Sequence, residues 1–583
     1  VALPAAVLPC LIAALCGPSS AAGATVYTFP IPGSRVASPY TQIVFRGVPA
    51  SRLGAIFVSG SRSGAHSGRV KADSDGDGGS FLPFKRFTAG ETVTVRTNLN
   101  IYGAAKHGTF HFKVAAPAGN YPPSHWPYPS RHSGDVWNFH SRPDIKPAAV
   151  RTSVFGRTSR GYIFVSAQFG PQQDGPEILD NQGNVVWFKR LKGDDSVTNF
   201  RAQRYRGKPV LTWWQGYVTG GNGLGEDVIN DTSYRQIATV RCANGMITDL
   251  HEFEITRNNT ALLNCVFPVF WDARSVGLGA RHVVFDDVIQ EVDIATGLVV
   301  FEWDSLDHVP LTDTYAPLPN GGVRLDYIHT SSADLDADGN VLISGRNTFA
   351  VYKANHNTAR TIWTLGGKHS SFSFGSGATF AYQHDVEVHS THDWFITMFD
   401  DGAGATRVHS QSRGLKLFLD VKHKIATAIG QVEHSPPLLA TYEGNYQQLP
   451  NRDVFIGWGS APYFSEYNVH GSLVFDAHFV DSEPNYRAYR CPWSAQPDRH
   501  HPPAVAAAIR GSHTTVWASW NGATDVAGWR VLGGSGRSRL RTLGRAARNG
   551  FETWITVPVV RYVAVEALDG RGHVLARSRT VGT

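Results

Sequence analysis

The stretch QEVDIATGLVVFEW, residues 290–303, reads as a short strand, an Ala-Thr-Gly turn and a second strand ending on Phe and Trp. The same phrase recurs as EILDNQGNVVWF at 177–188, IATVRCANGMITDL at 237–250, VYKANHNTARTIWTL at 351–365, LKLFLDVKHKIATAI at 415–429 and FSEYNVHGSLVFDA at 464–477. Successive copies lie roughly 50–65 residues apart, a period that suits blades of four strands. A second phrase, a turn followed by an apolar strand, is interleaved with it: RGYIFVSAQ, RGKPVLTWW, NNTALLNCVF, ADGNVLISGR, THDWFITMF and NRDVFIGWG. Six copies of each predict a six-bladed β-propeller over residues 151–485. A flat antiparallel sheet of the same strands would leave open edges that circular closure largely removes.

Outside the repeats the chain changes character. Residues 24–118 alternate polar and apolar in TQIVFRG, ETVTVRT and GTFHFKV, the pattern of a small β-sandwich-like domain. A stretch rich in Pro, Ser and His at 119–150 reads as a linker, as does 486–502. Residues 503–583 bring strands TTVWASW, GWRVLGG, FETWITV and YVAVEAL, which suit an immunoglobulin- or fibronectin-like sandwich. The fold class is therefore all-β throughout. Composition agrees: in 583 residues, 59 glycines with 15 Trp, 20 Tyr and 31 Phe exclude a long helical bundle, and 17% charged residues exclude wholesale disorder.

Residues 1–23 read as a secretory signal peptide, an apolar run followed by small residues, too short for a membrane span. No later stretch reaches spanning length, so the mature protein is expected to be exported and soluble. Its three remaining cysteines fit that compartment: Cys242 and Cys265 lie on neighbouring strands and make a plausible disulfide, leaving Cys491 buried and free. The net charge of +6 is modest and Lys and Arg are scattered. With no basic stripe and no known motif, nucleic acid is not an expected partner.

Aligning the repeats on the turn–strand phrase exposes candidate chemistry. About ten residues before that strand, successive blades carry Arg201, His251, His329, His384 and Asn445. Equivalent positions in a propeller ring its axis, so three distant histidines are expected to meet in one channel, joined by Arg346 at the end of LISGR. Imidazole is a nucleophile and an acid–base near neutral pH, and guanidinium pairs bidentately with oxyanions. The set suits transfer of a sulfuryl or phosphoryl group. No HExxH or His-x-His spacing accompanies His384-Asp385, so no metal is expected. Asp334-x-Asp336-x-Asp338-Gly339 and Asp73-x-Asp75-x-Asp77-Gly78 open like calcium loops, but position twelve is Gly345 or Phe84 rather than the closing Glu.

DLHEF, DYIHTSSADLDADGNVLISGRNT, IWTLGGKHSSF, QHDVEV with ITMFDDG, and GNYQQLPNRDVFIGWG together resemble the arylsulfotransferase family, and its actinobacterial and fungal branch in particular. The resemblance extends to SPYTQIVFRG near the N-terminus and ASWNGATDVAGWRV near the C-terminus. It implies a six-bladed propeller that passes sulfate from an aryl sulfate to a phenol, without PAPS or another cofactor, through a sulfohistidine. Carried across by motif, His384 would be the nucleophile, His251 and His329 channel histidines, and Arg346 the arginine after the Leu-Ile-Ser strand. Arg346 and His329 would then neutralise the sulfuryl oxygens, and His251 is the candidate acid for the departing phenoxide and base for the acceptor phenol. The family's Asn in His-x-Asn-Ser is Ser331 here, a shorter donor that would orient the sulfuryl group. Arg201 and Asn445 are candidate substrate contacts, and Trp214, with Trp213, Phe399 and Trp458, a candidate stacking surface for the phenol. A non-catalytic secreted propeller, or an aryl sulfate hydrolase using the same histidines, shares the fold.

Overall fold

The computed structural model describes residues 24–119, 132, 134–170, 172–193, 195–320, 323–389 and 395–583. The expected signal segment at 1–23, and residues 120–131 and 133 of the expected linker, lie outside the described residues. Among the described residues between 150 and 491, six separate sheets follow one another along the chain, antiparallel except where Ser373–Phe374 pairs in parallel with Ile425–Val432. Their innermost strands include Ser196–Tyr205, Ile247–Ile255, Thr330–Leu335, His384–Val388 and Asn445–Gln448. Five of the six repeated phrases form two consecutive strands in the outer part of one sheet, as in Gln290–Val292 pairing with Val299–Glu302. The copy at 237–250 instead spans two sheets, with Gln236–Val240 the outermost strand of one and Ile247–Ile255 the innermost of the next. Apolar side chains of adjacent sheets fill the space between them; Phe200, Trp213 and Trp187 are one such seam. The chain is an all-β propeller.

The ring closes at two places. Val150–Val154 pairs with Leu473–Phe479 on the outer edge of the last sheet. Tyr489–Cys491 pairs with Tyr162–Val165 and is the innermost strand of the first sheet. The second closure corrects the reading of 486–502 as a linker. Its strand is hidden in sequence because NYRAYRC carries two arginines where an apolar run is expected. Both are buried and paired: Arg490 with Glu466 at 2.7 Å, Arg487 with Glu252 at 3.0 Å and Asp385 at 3.2 Å. Side-chain amides complete the join. Asn445 both donates to and accepts from the Ala488 backbone at 2.8 Å, and Gln447 does the same with Arg490 at 3.1 and 2.7 Å.

Ahead of the propeller, a five-stranded sheet packs on a four-stranded one, with Val26, Ile43 and Phe45 facing Val93, Val95, Phe110 and Phe112. Beyond it, Ala504–Arg510, His513–Ser519 and Glu552–Pro558 pack on the sheet that holds Gly528–Gly536 and Tyr562–Leu568, burying Val516, Trp529, Val531 and Val565. Asn521 docks this C-terminal sandwich on the propeller, accepting from the Phe188 N–H at 3.0 Å and donating to its carbonyl at 2.8 Å. Cys242 and Cys265 form a disulfide, and Cys491 is buried and free. Among the described residues no helix is long and apolar enough to cross a membrane. Asp73 and Asp75, read in sequence beside a calcium-loop pattern, both pair with Arg46, and Asp336 pairs with Lys353.

Candidate active site

At one end of the propeller axis lies a pocket of about 420 Å³, and His251, His329, Arg346 and His384 all line it. They come from three consecutive sheets, and each histidine is oriented the same way. His384 Nδ1 lies 2.7 Å from Asp401 Oδ2, His329 Nδ1 lies 2.5 Å from Asp326 Oδ2, and His251 Nδ1 bonds Asp249 Oδ2. A carboxylate on Nδ1 fixes the ring and turns Nε2 toward the cavity. The backbone N–H of Glu443 donates to His384 Nε2 at 3.3 Å, so that nitrogen bears the lone pair and Nδ1 bears the hydrogen. Burial, reinforced by the Arg346 charge, pushes His384 well below the usual imidazole range. Burial likewise lowers His251, against the pull of Asp249. Burial pushes Asp401 up, and Arg346 opposes it.

Arg346 is held by the Thr441 carbonyl at 2.8 Å and Asn347 Oδ1 at 2.9 Å, with its guanidinium over the Tyr382 ring. Its Nε is buried with no hydrogen-bond partner. The guanidinium lines the same pocket as the histidines, where its charge is suited to an oxyanion. The edge of the His329 ring meets the face of His251, or the reverse, with centroids 4.6 Å apart at 86°. Backbone strain collects here too: His329 at φ 51°, Asp385 at φ 51° and Glu443 at φ 67° are left-handed non-glycine residues.

Two features of the pocket escaped the sequence reading. The first is its floor. Arg487 lies below the histidines, and besides Glu252 and Asp385 it reaches Asn199 Oδ1 at 3.3 Å and the Ser331 carbonyl at 3.1 Å. Tyr486 beside it donates to the His251 carbonyl at 2.7 Å. The second is Glu443, which lines the pocket next to His384. Its Oε2 is buried without a partner, and burial pushes its carboxyl up to about 8 against the opposing effects of Gln168 and Arg346. The aspartates were legible at short spacings inside DLHEF, DYIHT and FDDG. Glu443 stands directly before Gly444 in EGNYQQL, two residues ahead of Asn445, which the alignment selected.

Four expected substrate contacts do not face the pocket. Arg201 is turned to Glu252 Oε1 at 3.0 Å and the Phe253 carbonyl at 2.9 Å. Asn445 is used up on Ala488. The Ser331 hydroxyl donates to the Gln383 carbonyl at 2.8 Å and lies 3.0 Å from Ser344 Oγ, so it fastens the strand that carries His384 instead of reaching a ligand. Trp214 is fully buried, its Nε1 donating to the Thr248 carbonyl at 3.2 Å, and Trp213, Phe399 and Trp458 are equally buried between sheets. Phe169 and Tyr442 are the aromatic residues lining the pocket.

No curated protein matches this chain. Among solved structures it is similar to a protein of unknown function from Bacteroides caccae, 11% identical, covering 57% of this chain and 98% of that one with a TM-score of 0.36. It is also similar to a virginiamycin B lyase from Staphylococcus aureus, 9% identical, covering 64% of this chain and 96% of that one with a TM-score of 0.28. A periplasmic gluconolactonase of Pseudomonas aeruginosa is 11% identical over 73% of this chain and 96% of its own, with a TM-score of 0.18. Likeness this distant carries no weight for the chemistry. The family comparison does: residues 201–480, which hold all three pocket histidines with Arg346 and Glu443, match the profile of the arylsulfotransferase (ASST) family, and over that span the chain belongs to the arylsulfotransferase family.

Proposed function

We propose that this protein moves a sulfuryl group from an aryl sulfate to a phenol in two steps, through a sulfohistidine on His384. The observation that carries the proposal is the unprotonated, Asp401-anchored His384, its Nε2 directed at a cavity that Arg346 also lines. In the first step the Nε2 lone pair attacks sulfur and the sulfur–aryl oxygen bond breaks. Arg346 and His329, the latter paired with Asp326, take up charge on the sulfuryl oxygens. The departing phenoxide needs a proton. His251, kept unprotonated by burial, has none to give from Nε2, whereas Glu443 carries one at neutral pH. Glu443 therefore protonates the leaving oxygen. In the second step its carboxylate takes the proton of the acceptor phenol, whose oxygen attacks sulfur and releases His384. His251 lines the same cavity beside His329, and Phe169 and Tyr442 stack on the rings.

Two features support the assignment beyond the histidines. Arg487 and Tyr486, buried next to the histidines, hold the Ser331 and His251 carbonyls in place and so fix the strands that carry the site. The Cys242–Cys265 disulfide fits work in an oxidising compartment outside the cytoplasm. The test is p-nitrophenyl sulfate turnover with and without phenol, beside His384→Ala. Release of nitrophenol that depends on phenol and is lost in the variant is expected. Release that ignores phenol marks a hydrolase; absence of release from any aryl sulfate sinks the transferase.

A further inference from the structure

The charge of this chain is concentrated at one end. Residues 503–583 hold 11 arginines, no lysine and four carboxylates, a formal charge of +7, while the whole chain carries +6. The other 502 residues are thus close to neutral. Three of the four carboxylates are already engaged: Glu566 by Arg530 at 2.5 Å, Glu552 by His140 and Ser141, and Asp569 by His573 at 3.1 Å.

Three of the remaining ten arginines, Arg539, Arg541 and Arg561, line one cleft. A depression of about 880 Å³ lies at one end of the sandwich. Its floor is the Gly533-Gly534-Ser535 segment, where side chains are missing or small. Gly534 has no room for one, since an added Cβ would stand 2.1 Å from the Arg539 carbonyl oxygen. One wall is Arg539, Leu540 and Arg541 on the strand Arg539–Ala547, an edge of its sheet. The other holds Val559, Val560 and Arg561. All three arginines are exposed, and among the described residues none has an ion-pair partner.

We infer that this cleft binds a linear acidic polysaccharide, with Arg539, Arg541 and Arg561 gripping its sulfate or carboxylate groups. Guanidinium matches such oxyanions bidentately and is cheaply desolvated for that purpose. The concave shape fits a chain better than it fits a flat lipid surface. No aromatic side chain lines the cleft, so it lacks the stacking platform that single-stranded nucleic acid uses. The site is independent of the sulfuryl chemistry, because it sits on a separate sandwich and shares no residue with the histidine pocket.

The test is binding of the full chain to chondroitin sulfate and to polygalacturonate, with oligo(dT) and phosphatidylglycerol vesicles as competing probes. Wild type should bind both polysaccharides and lose roughly tenfold in affinity between 50 and 200 mM salt. The triple variant Arg539→Gln/Arg541→Gln/Arg561→Gln should bind at least tenfold more weakly, with the p-nitrophenyl sulfate rate and thermal midpoint unchanged. Arg541→Gln alone should fall between, which keeps the test valid if the triple variant folds poorly. A control removing the exposed Arg52, Arg69 and Arg96 of the N-terminal domain should bind as wild type. Equal weakening in the control, undiminished binding in the triple variant, or no binding at low salt overturns the inference. So does oligo(dT) or vesicle binding that is tighter than the polysaccharide and depends on the same arginines.

Discussion

Replacing Glu443 by Gln isolates the proton-transfer step. The change keeps the size of the side chain and a hydrogen-bond donor, and removes only the transferable proton. With its carboxyl pushed up to about 8, Glu443 is protonated in roughly nine molecules of ten at pH 7. A positioned acid contributes on the order of 10²- to 10⁴-fold to a step that needs its proton, or about 3–5 kcal/mol. A nitrophenoxide is a good leaving group and needs little help, whereas an alkylphenoxide is strongly basic and needs much. Glu443→Gln should therefore cut kcat/KM for phenyl and alkylphenyl sulfates by two orders of magnitude or more, and barely change it for p-nitrophenyl sulfate. The assay is a series of substituted phenyl sulfates, with log kcat/KM plotted against leaving-group basicity. The variant line should be markedly steeper. Wild-type kcat/KM for phenyl sulfate should also fall about tenfold per pH unit above about 8, a limb that the variant lacks. Parallel lines, or a wild-type profile flat to pH 9, refute the assignment.

The same residue makes a prediction about stability whose sign can be worked out. The folded carboxyl titrates at about 8 and the unfolded one near 4.5. Between those values the unfolded chain has released a proton that the folded one still holds, so stability linked to Glu443 is full below about 4.5 and drains away as pH rises to about 8. Because the pocket admits solvent, the loss is on the order of 3 kcal/mol and not the larger figure that the two values alone imply. Glu443→Gln should resist heat inactivation no better than wild type at pH 4.5, and distinctly better at pH 9.

Other consequences are equally direct. In His384→Ala, incubation with radiolabelled aryl sulfate should leave no label on the protein, while in wild type the label should be stable to alkali and lost in acid. Asp401→Asn should lower kcat at least 100-fold with KM nearly unchanged, since an amide can present its N–H to Nδ1 and so move the imidazole hydrogen onto the attacking nitrogen. Arg487→Met leaves Glu252 and Asp385 buried without their cation and should cost about 3–5 kcal/mol, read as a lower denaturant midpoint. Replacing Cys242 and Cys265 together by Ser releases a link across 23 residues and should cost about 3 kcal/mol.

What could be read from the sequence, and what could not, follows from the geometry of an inner strand. Two of a sheet's four strands, joined by a turn, produced a repeat that could be counted, because each must alternate against the same two neighbouring sheets. That repeat also found His251, His329 and His384, which share a level. It placed Arg201 on the same level, and there it failed. The register of Ser196–Tyr205 slips between Thr198 and Arg201, so Asn199 is the residue that meets Arg487, and Arg201, two residues further along the strand, reaches Glu252 and the Phe253 carbonyl from the side. Two residues of strand are about 7 Å of axial depth, enough to take a side chain out of the level at which the histidines meet. A repeat in sequence reports which residues face the axis. It does not report how deep they sit, because a single bulge changes depth without changing composition.

The layer below is also where hydrophobic patterning stops being a guide. Glu252, Asp385, Asn199 and Arg487 are all buried, and they satisfy one another from four different inner strands or their extensions. None is recognisable as a core residue until its partners are known. The closing strand Tyr489–Cys491 was missed for that reason, and the floor of the site with it. The histidines were easier to find because each keeps its carboxylate within a few residues or one hairpin: Asp249 two before His251, Asp326 three before His329, and Asp401 on the far side of the hairpin that begins at His384. The chemistry of this pocket is written in local pairs. Its enclosure depends on pairs almost the length of the propeller apart, such as Arg487 with Asn199, and only the closed ring brings those together.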